Sequence, residues 1–363
     1  MSEQPERPRQ AWKGSAAGTS PDQTGRAGEV HFGAPLESAA GEPKAGLPLS
    51  PNQRAWQRFK RNRAATFCSL FLATVVTLIL SWPLFRAPSL APYLPQAMTF
   101  PPASFATDPF QGPGQQHWFG TDAHGRDLLS RVVYGARISL LVGAVGALVS
   151  LVIGVWWGAV AGYVGGRWDD VMMRFVDVLY SLPSIIFVIV LTPTLEGFFQ
   201  TGLRQWFSSD SGALARMLCL FAGLGAVSWL TMARIVRGQV LSLRSRAFVD
   251  ASRALGASHS RILFRHILPN VSGVVIVYLM LMVPSIILYE SFLSYLGLGI
   301  QPPQASLGSL MAEGASQINP LRIYWWMVFF PGATLVTTLL ALNFLGDGLR
   351  DAFDPRGAGR GDE

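Results

Sequence analysis

The chain has 363 residues, 50% of them hydrophobic and 14% charged, with a net charge of +7. Its mean hydropathy of +0.32 exceeds what a soluble domain of this length needs to fill one core, so the composition specifies an integral membrane protein. The cations are spread through loops between apolar runs with no aromatic-studded basic face, which argues against nucleic acid and for anionic lipid headgroups.

Residues 1–52 are rich in Gly, Pro, Ser, Ala and Gln and lack apolar periodicity, so a disordered tail is expected. That polar start, and the lack of a small-residue cleavage site after the first apolar run, lead us to expect no cleaved signal peptide. Residues 53–64 follow, with Trp56 and Phe59 among five cations, as in an amphipathic interfacial segment. A membrane-crossing helix needs about 20 apolar residues. Six stretches qualify: Ala65–Phe85, Ile138–Tyr163, Val171–Leu191, Ala213–Ile235, Val271–Leu293 and Tyr324–Leu345. The pattern predicts an all-α polytopic protein with a first span at 65–85, an outer segment at 86–137, a core of five spans at 138–350, and a tail at 351–363.

In the outer segment, Asp122 and Asp127 are expected to cap a helix, with Asp127 pairing with Arg131 one turn on. Leu128, Leu129, Val132 and Val133 would form the apolar side of an amphipathic helix lying on the outer surface before span two. His117 and His124 could join the two aspartates in a metal site, but a structured loop is the favoured reading, so no metal is expected. Gly143, Gly146, Gly154 and Gly158, with Ala144, Ala147 and Ala159, give span two a narrow face for close helix packing. Cys68 and Cys219 both lie in apolar runs and read as small buried hydrophobes.

Ionisable groups within spans are few: Asp177 toward the cytosolic third of span three, Glu290 near the outer end of span five, and Asn343 and Asp347 at the inner end of span six. Structural roles are expected for each, for instance Asp347 pairing with a nearby Arg or capping the helix end. Pro284 should bend span five and turn Ser285–Tyr289 toward a cavity, making Pro284, Tyr289, Glu290 and Ser291 gate candidates. The Gly/Pro-rich outer loop 297–314 reads as a partly re-entrant cap, and its Gln301 is a further gate or pathway candidate.

Sidedness follows from the cations. Of the 29 Lys and Arg residues, only Arg86, Arg126, Arg131, Arg137, Arg204, Arg216 and Arg322 fall outside when both termini are cytosolic. The loop between spans four and five then faces the cytosol and reads as helix, break, helix over 247–267. Phe248, Ala251, Ser252 and Leu255 share one face, Gly256 is the stop residue, Ser258 an N-cap, and Pro269 ends the second piece. Ile262, Leu263, His266 and Ile267 form a second stripe, while Arg253, Arg261 and Arg265 suit acidic groups on a partner.

The run Asp250-Ala251-Ser252, then Gly256, then His266-Ile267-Leu268-Pro269 resembles the EAA motif of bacterial ABC importer permeases, whose cytosolic coupling helix docks on an ATPase. Asp250 stands for the usual Glu, Ser252 for the second Ala, and His266 for an Ile. Residues 117–140, 173–186, 289–303 and 343–356 resemble signatures of the C-type permease of dipeptide, oligopeptide and related nickel importers. The resemblance covers roughly residues 51–358 and implies an ABC type I importer permease fold. It also implies a homologous second permease, two ATPases and an extracytoplasmic substrate-binding protein.

Nucleotide chemistry on this chain would require GxxxxGK[ST], yet its only lysines, Lys13, Lys44 and Lys60, are not preceded by Gly. ATP and Mg are therefore expected on the partner ATPases, with no cofactor and no catalytic residue here. A proton relay would need more mid-span carboxylates, which leaves an ion-coupled secondary transporter as the alternative and a membrane enzyme as the least favoured class.

Overall fold

The computed structural model describes residues 51–85, 101, 108–183, 185–191, 194, 212–300 and 304–353, all within the unit Leu49–Glu363. The expectations for residues 1–50, for most of 86–107, for Gln301 and for most of the C-terminal tail lie outside the described residues.

The basic segment forms a helix, α1 (Pro51–Arg61), that buries Ala55 and Phe59 against Ala65 and Ala352 while Trp56 stays exposed. Asn62 separates α1 from α2 (Arg63–Phe85), its side-chain oxygen accepting from the Ala65 N–H at 3.2 Å. A long helix, α3, runs from Leu128 to Val164. It is followed by α4 (Gly166–Ser181) and, after a 93° bend, α5 (Ile185–Leu191). The bend interrupts the third predicted span. Pro183 lacks a donor and forces Leu182 into extended conformation (φ −79°, ψ 136°), so the helix cannot continue.

Next come α6 (Gly212–Arg244), α7 (Ala247–Ala254), the short α8 (His259–Arg261), a π-helical turn (Ile262–Ile267) and α9 (Leu268–Tyr295). Finally α10 (Leu307–Ser316) leads to α11 (Trp326–Phe353). Among the described residues, α2, α3, the stretch His259–Tyr295 and α11 are long and apolar enough to cross a membrane, and α4 with α5 makes a fifth if the bent pair is one span.

Two expectations change. Residues 128–133 are not a separate surface helix: α3 starts at Leu128 and passes unbroken into the predicted second span. Leu128, Leu129, Val132 and Val133 are buried against Ile79, Trp82, Leu307 and Leu335 from α2, α10 and α11 rather than laid on a surface. Pro269 does not end a helix, because the π turn just before it widens the backbone where the proline ring and missing donor would otherwise clash, and helix continues to Tyr295. Pro284 is buried within α9, which continues through it.

Lipid removes the hydrophobic drive between helices, so close backbone approach holds the bundle together. The glycine face of α3 splits between two partners. A Cβ on Gly154, Gly158 or Gly162 would strike α6 at Met232, Ala233 or Arg237, while one on Gly143 or Gly146 would strike Ile287 or Ile286 of α9.

Candidate functional site

The predicted docking segment is built on an apolar base. Val249 of α7 and Ile262, Leu263 and Ile267 of the π turn are buried with Val236 and Val240 of α6 and Val271 and Val275 of α9. That packing leaves the other face of α7 outward: Ala251 is exposed, Phe248 also, and Leu255 is 88% exposed. Gly256 ends α7 with φ +76°, and its N–H donates to Arg253 O at 2.9 Å while the Ala257 N–H donates to Ser252 O at 3.1 Å. This double bond is a Schellman motif, and only glycine enters it without strain. Asp250 pairs with Arg253 at 3.3 Å, and both are exposed, as are Arg261, Arg265 and Pro269. Ser258 has extended N-cap backbone but its hydroxyl makes no capping bond. Tyr163 at the end of α3 meets His259 Nδ1 at 2.9 Å, and Arg244 donates to the Tyr163 carbonyl at 3.1 Å.

Between α4, α5, α6 and α9 lies a cleft of about 430 Å³. Tyr180, Ser181, Ser228, Thr231, Ser285 and Tyr289 supply hydroxyls to its wall, and no charged residue lines it among the described residues. Of the gate candidates, Tyr289 reaches this cleft. Glu290 and Ser291 turn away from it. Glu290 is fully buried, accepting from Ser139 of α3 at 2.9 Å and from Ser294 at 2.7 Å, and Ser139 in turn accepts the Leu307 N–H of α10 at 3.3 Å. A carboxyl at that position ties three helices together. Asp177 pairs with Arg234 of α6 at 2.7 Å, and Asp169 makes a bidentate pair with Arg237, one bond at 2.7 Å. Asn343 and Asp347 are exposed on α11, and the expected Asp347–Arg pair is absent among the described residues.

At the other end of α3 the loop 108–127 is held by charge. Asp127 caps α3 by accepting the Ser130 N–H at 2.8 Å and meets His117 Nδ1 at 2.9 Å; it does not pair with Arg131. Arg131 instead donates to Asp122 at 2.7 Å and to Glu313 of α10 at 2.9 Å, because α10 packs across the first turns of α3. Burial disfavours the charged Asp122. The Arg126 N–H, the Arg131 and Arg126 guanidiniums and the His124 N–H outweigh it, holding the carboxyl below the usual range. The histidines and aspartates considered as metal ligands are thus engaged with one another and with arginines, and no group of three or more His, Cys, Asp or Glu suited to a metal occurs among the described residues.

Sequence reasoning missed Asp169–Arg237, Tyr163–His259, Arg131–Glu313 and Ser139–Glu290. These partners lie between 68 and 182 residues apart, and no local spacing signals them.

The described residues form a multi-span helical bundle with an uncharged cleft between its helices and a short exposed helix at one end, and the family model that matches the chain makes it a membrane permease component. The chain is a member of the family of binding-protein-dependent transport system inner membrane components, which matches residues 154–358. The N-terminal transmembrane domain of oligopeptide transport permease C matches residues 50–113. It is 43% identical over 304 residues to the oligopeptide transport system permease protein OppC of Haemophilus influenzae, covering 84% of this chain and 88% of that one. The OppC of Escherichia coli K12 is 44% identical over 304 residues, covering 84% and 91%. The dipeptide transport system permease protein DppC of Bacillus subtilis is 42% identical over 311 residues, covering 85% and 87%.

Proposed function

We propose that this chain is the non-catalytic permease subunit of an ATP-driven ABC importer, forming half of a translocation pore for dipeptides and oligopeptides. The observation that carries the reading is the family membership, with relatives named for peptide transport at 42 to 44% identity over most of the chain. In this reading the bent α4–α5 pair is the third span and the 33-residue α6 the fourth, which with α2, α3, α9 and α11 makes six, and both termini lie in the cytosol. The partners are a homologous second permease, two ATPases that hold ATP and Mg, and an extracytoplasmic substrate-binding protein.

In this reading the outward face of α7, with Asp250, Ala251, Ser252, Arg253 and Gly256, seats in the ATPase, and Arg261, Arg265 and Pro269 flank the seat. Because Val249, Ile262 and Ile267 are buried with α6 and α9, a displacement of α7 is passed to both helices beside the cleft. The shift between inward and outward access then comes from the difference in how the ATPases bind this element in their two nucleotide states. Uptake of a labelled tripeptide in cells expressing the chain with its neighbouring transporter subunits tests the assignment. Uptake should vanish when the ATPases carry an inactive P-loop and persist when the proton gradient is collapsed with ATP maintained. The reverse pattern would replace the reading with an ion-coupled carrier.

A further inference from the structure

Among the described residues the cleft wall offers hydroxyls but no charge, whereas a short peptide at neutral pH carries a charge at each end: its α-ammonium titrates near 8 and its α-carboxyl near 3.5. The charges stand at the cleft rim. Arg234 Nη2 donates to Asp177 Oδ1 at 2.7 Å, and the same guanidinium lies 4.0 Å from the ring centroid of Tyr180, a cleft residue.

Arg234 lies ten residues before Arg244, the end of α6, and Asp177 eleven residues after Gly166, the start of α4. Arg244 grips the Tyr163 carbonyl at the end of α3, so these ends share one level. At about 1.5 Å per residue the pair sits roughly 15 Å along the helices from that level. Charges within membrane-embedded helices are expensive in lipid and tend to mark a path that water reaches.

A brace between α4 and α6 already exists one to two turns away, where Asp169 is buried against Arg237. The Asp177–Arg234 pair differs from it in being open: the two side chains are 60% and 39% exposed. It can therefore separate without uncovering a core.

We propose that Asp177 and Arg234 form a charge-exchange site for the two termini of a short peptide. This rests on the peptide-permease reading above. The peptide ammonium takes the Asp177 carboxylate, and its carboxylate takes the planar fork of Arg234, which stays over Tyr180. One protein ion pair and one zwitterion become two ion pairs, so no charge enters the pore uncompensated. Ser228, Thr231 and Ser285 meet the peptide backbone, which is the same for every sequence.

The test uses the assembled complex of both permeases and both ATPases in nanodiscs without binding protein. The probe is a tripeptide of alanine flanking a diazirine-bearing leucine analogue, in free, N-acetylated and C-amidated forms. Wild-type complex should be photolabelled in the cleft by the free peptide about tenfold or more above either blocked form. Asp177→Asn should abolish the preference for a free N-terminus only, and Arg234→Gln the preference for a free C-terminus only. Equal loss of all three labels in both variants would mean a structural brace, and absence of cleft labelling in wild type would also overturn the site. Uptake by the same complex with its binding protein, measured in parallel, shows separately whether the peptide-permease reading itself stands.

Discussion

Glu290 and Asp122 are both buried carboxyls, yet their surroundings assign them different work. Glu290 is ringed by Ser139, Ser291 and Ser294 inside the bundle, so its loss strands hydroxyls that have no water to turn to. Glu290→Ala should lower stability by roughly 1–3 kcal/mol per stranded group, while Glu290→Gln, which keeps the acceptor, should lose much less. Thermal melts of the detergent-solubilised protein separate the two outcomes. Asp122 is surrounded by donors and cations, and its depressed pKa gives a sign to the pH dependence. Its contribution is complete at neutral pH, declines below about 4 as the unfolded aspartate protonates, and is gone below the native value. The difference in melting temperature between wild type and Asp122→Asn should therefore be constant from pH 8 to about 5 and shrink in stronger acid. A difference that grows on acidification would contradict the arrangement of Arg126 and Arg131 around it.

Among the elements, α7 shows how one residue type decides a geometry. Proline holds φ near −65°, incompatible with the +76° of Gly256, and no neighbour crowds that position, so a substitution acts through the backbone alone. Gly256→Pro should abolish uptake while membrane insertion and yield remain normal, and Gly256→Ala should cost about 1–2 kcal/mol locally with partial uptake. Full uptake by Gly256→Pro would remove α7 from the coupling path. Gly158 fails for the opposite reason, since any side chain there collides with the Ala233 backbone of α6. Gly158→Leu should push α3 from α6 and reduce the yield of folded protein in fluorescence-detected size exclusion, an effect that Gly238→Ala on an open face should not reproduce.

At the scale of the whole molecule, one unbroken stretch, His259–Tyr295, runs from just after α7 to the buried Glu290 cluster, where α10 and α3 are joined to it. In the proposed mechanism this stretch is the path by which a displacement beside α7 would reach the far end of the bundle. The outward face of α7 should be covered in the complete transporter. A thiol at Leu255→Cys, on a background with Cys68 and Cys219 replaced, should react rapidly with a maleimide in the isolated chain and be protected several-fold once the ATPases assemble. Unchanged labelling would place the docking surface elsewhere.

Composition and periodicity by themselves determined that this chain is helical and membrane-embedded, where its apolar stretches run, and that residues 247–267 form a basic two-part element with a glycine stop. Those properties depend on neighbours within a few residues: hydrocarbon length, a 3.6-residue repeat, and the backbone demands of Gly256. The helical continuity through Pro269, the partner of Arg131 and the orientation of Glu290 away from the cleft were decided only by tertiary structure. The last two are set by which helix packs alongside, and a local pattern cannot encode a partner that arrives from 151 or 182 residues away, while the first depends on a π turn that the residue spacing does not signal. The charged pair at Asp177 and Arg234 belongs to both: its residue types were visible, but its exposure and its place beside Tyr180 exist only once α4 and α6 are packed.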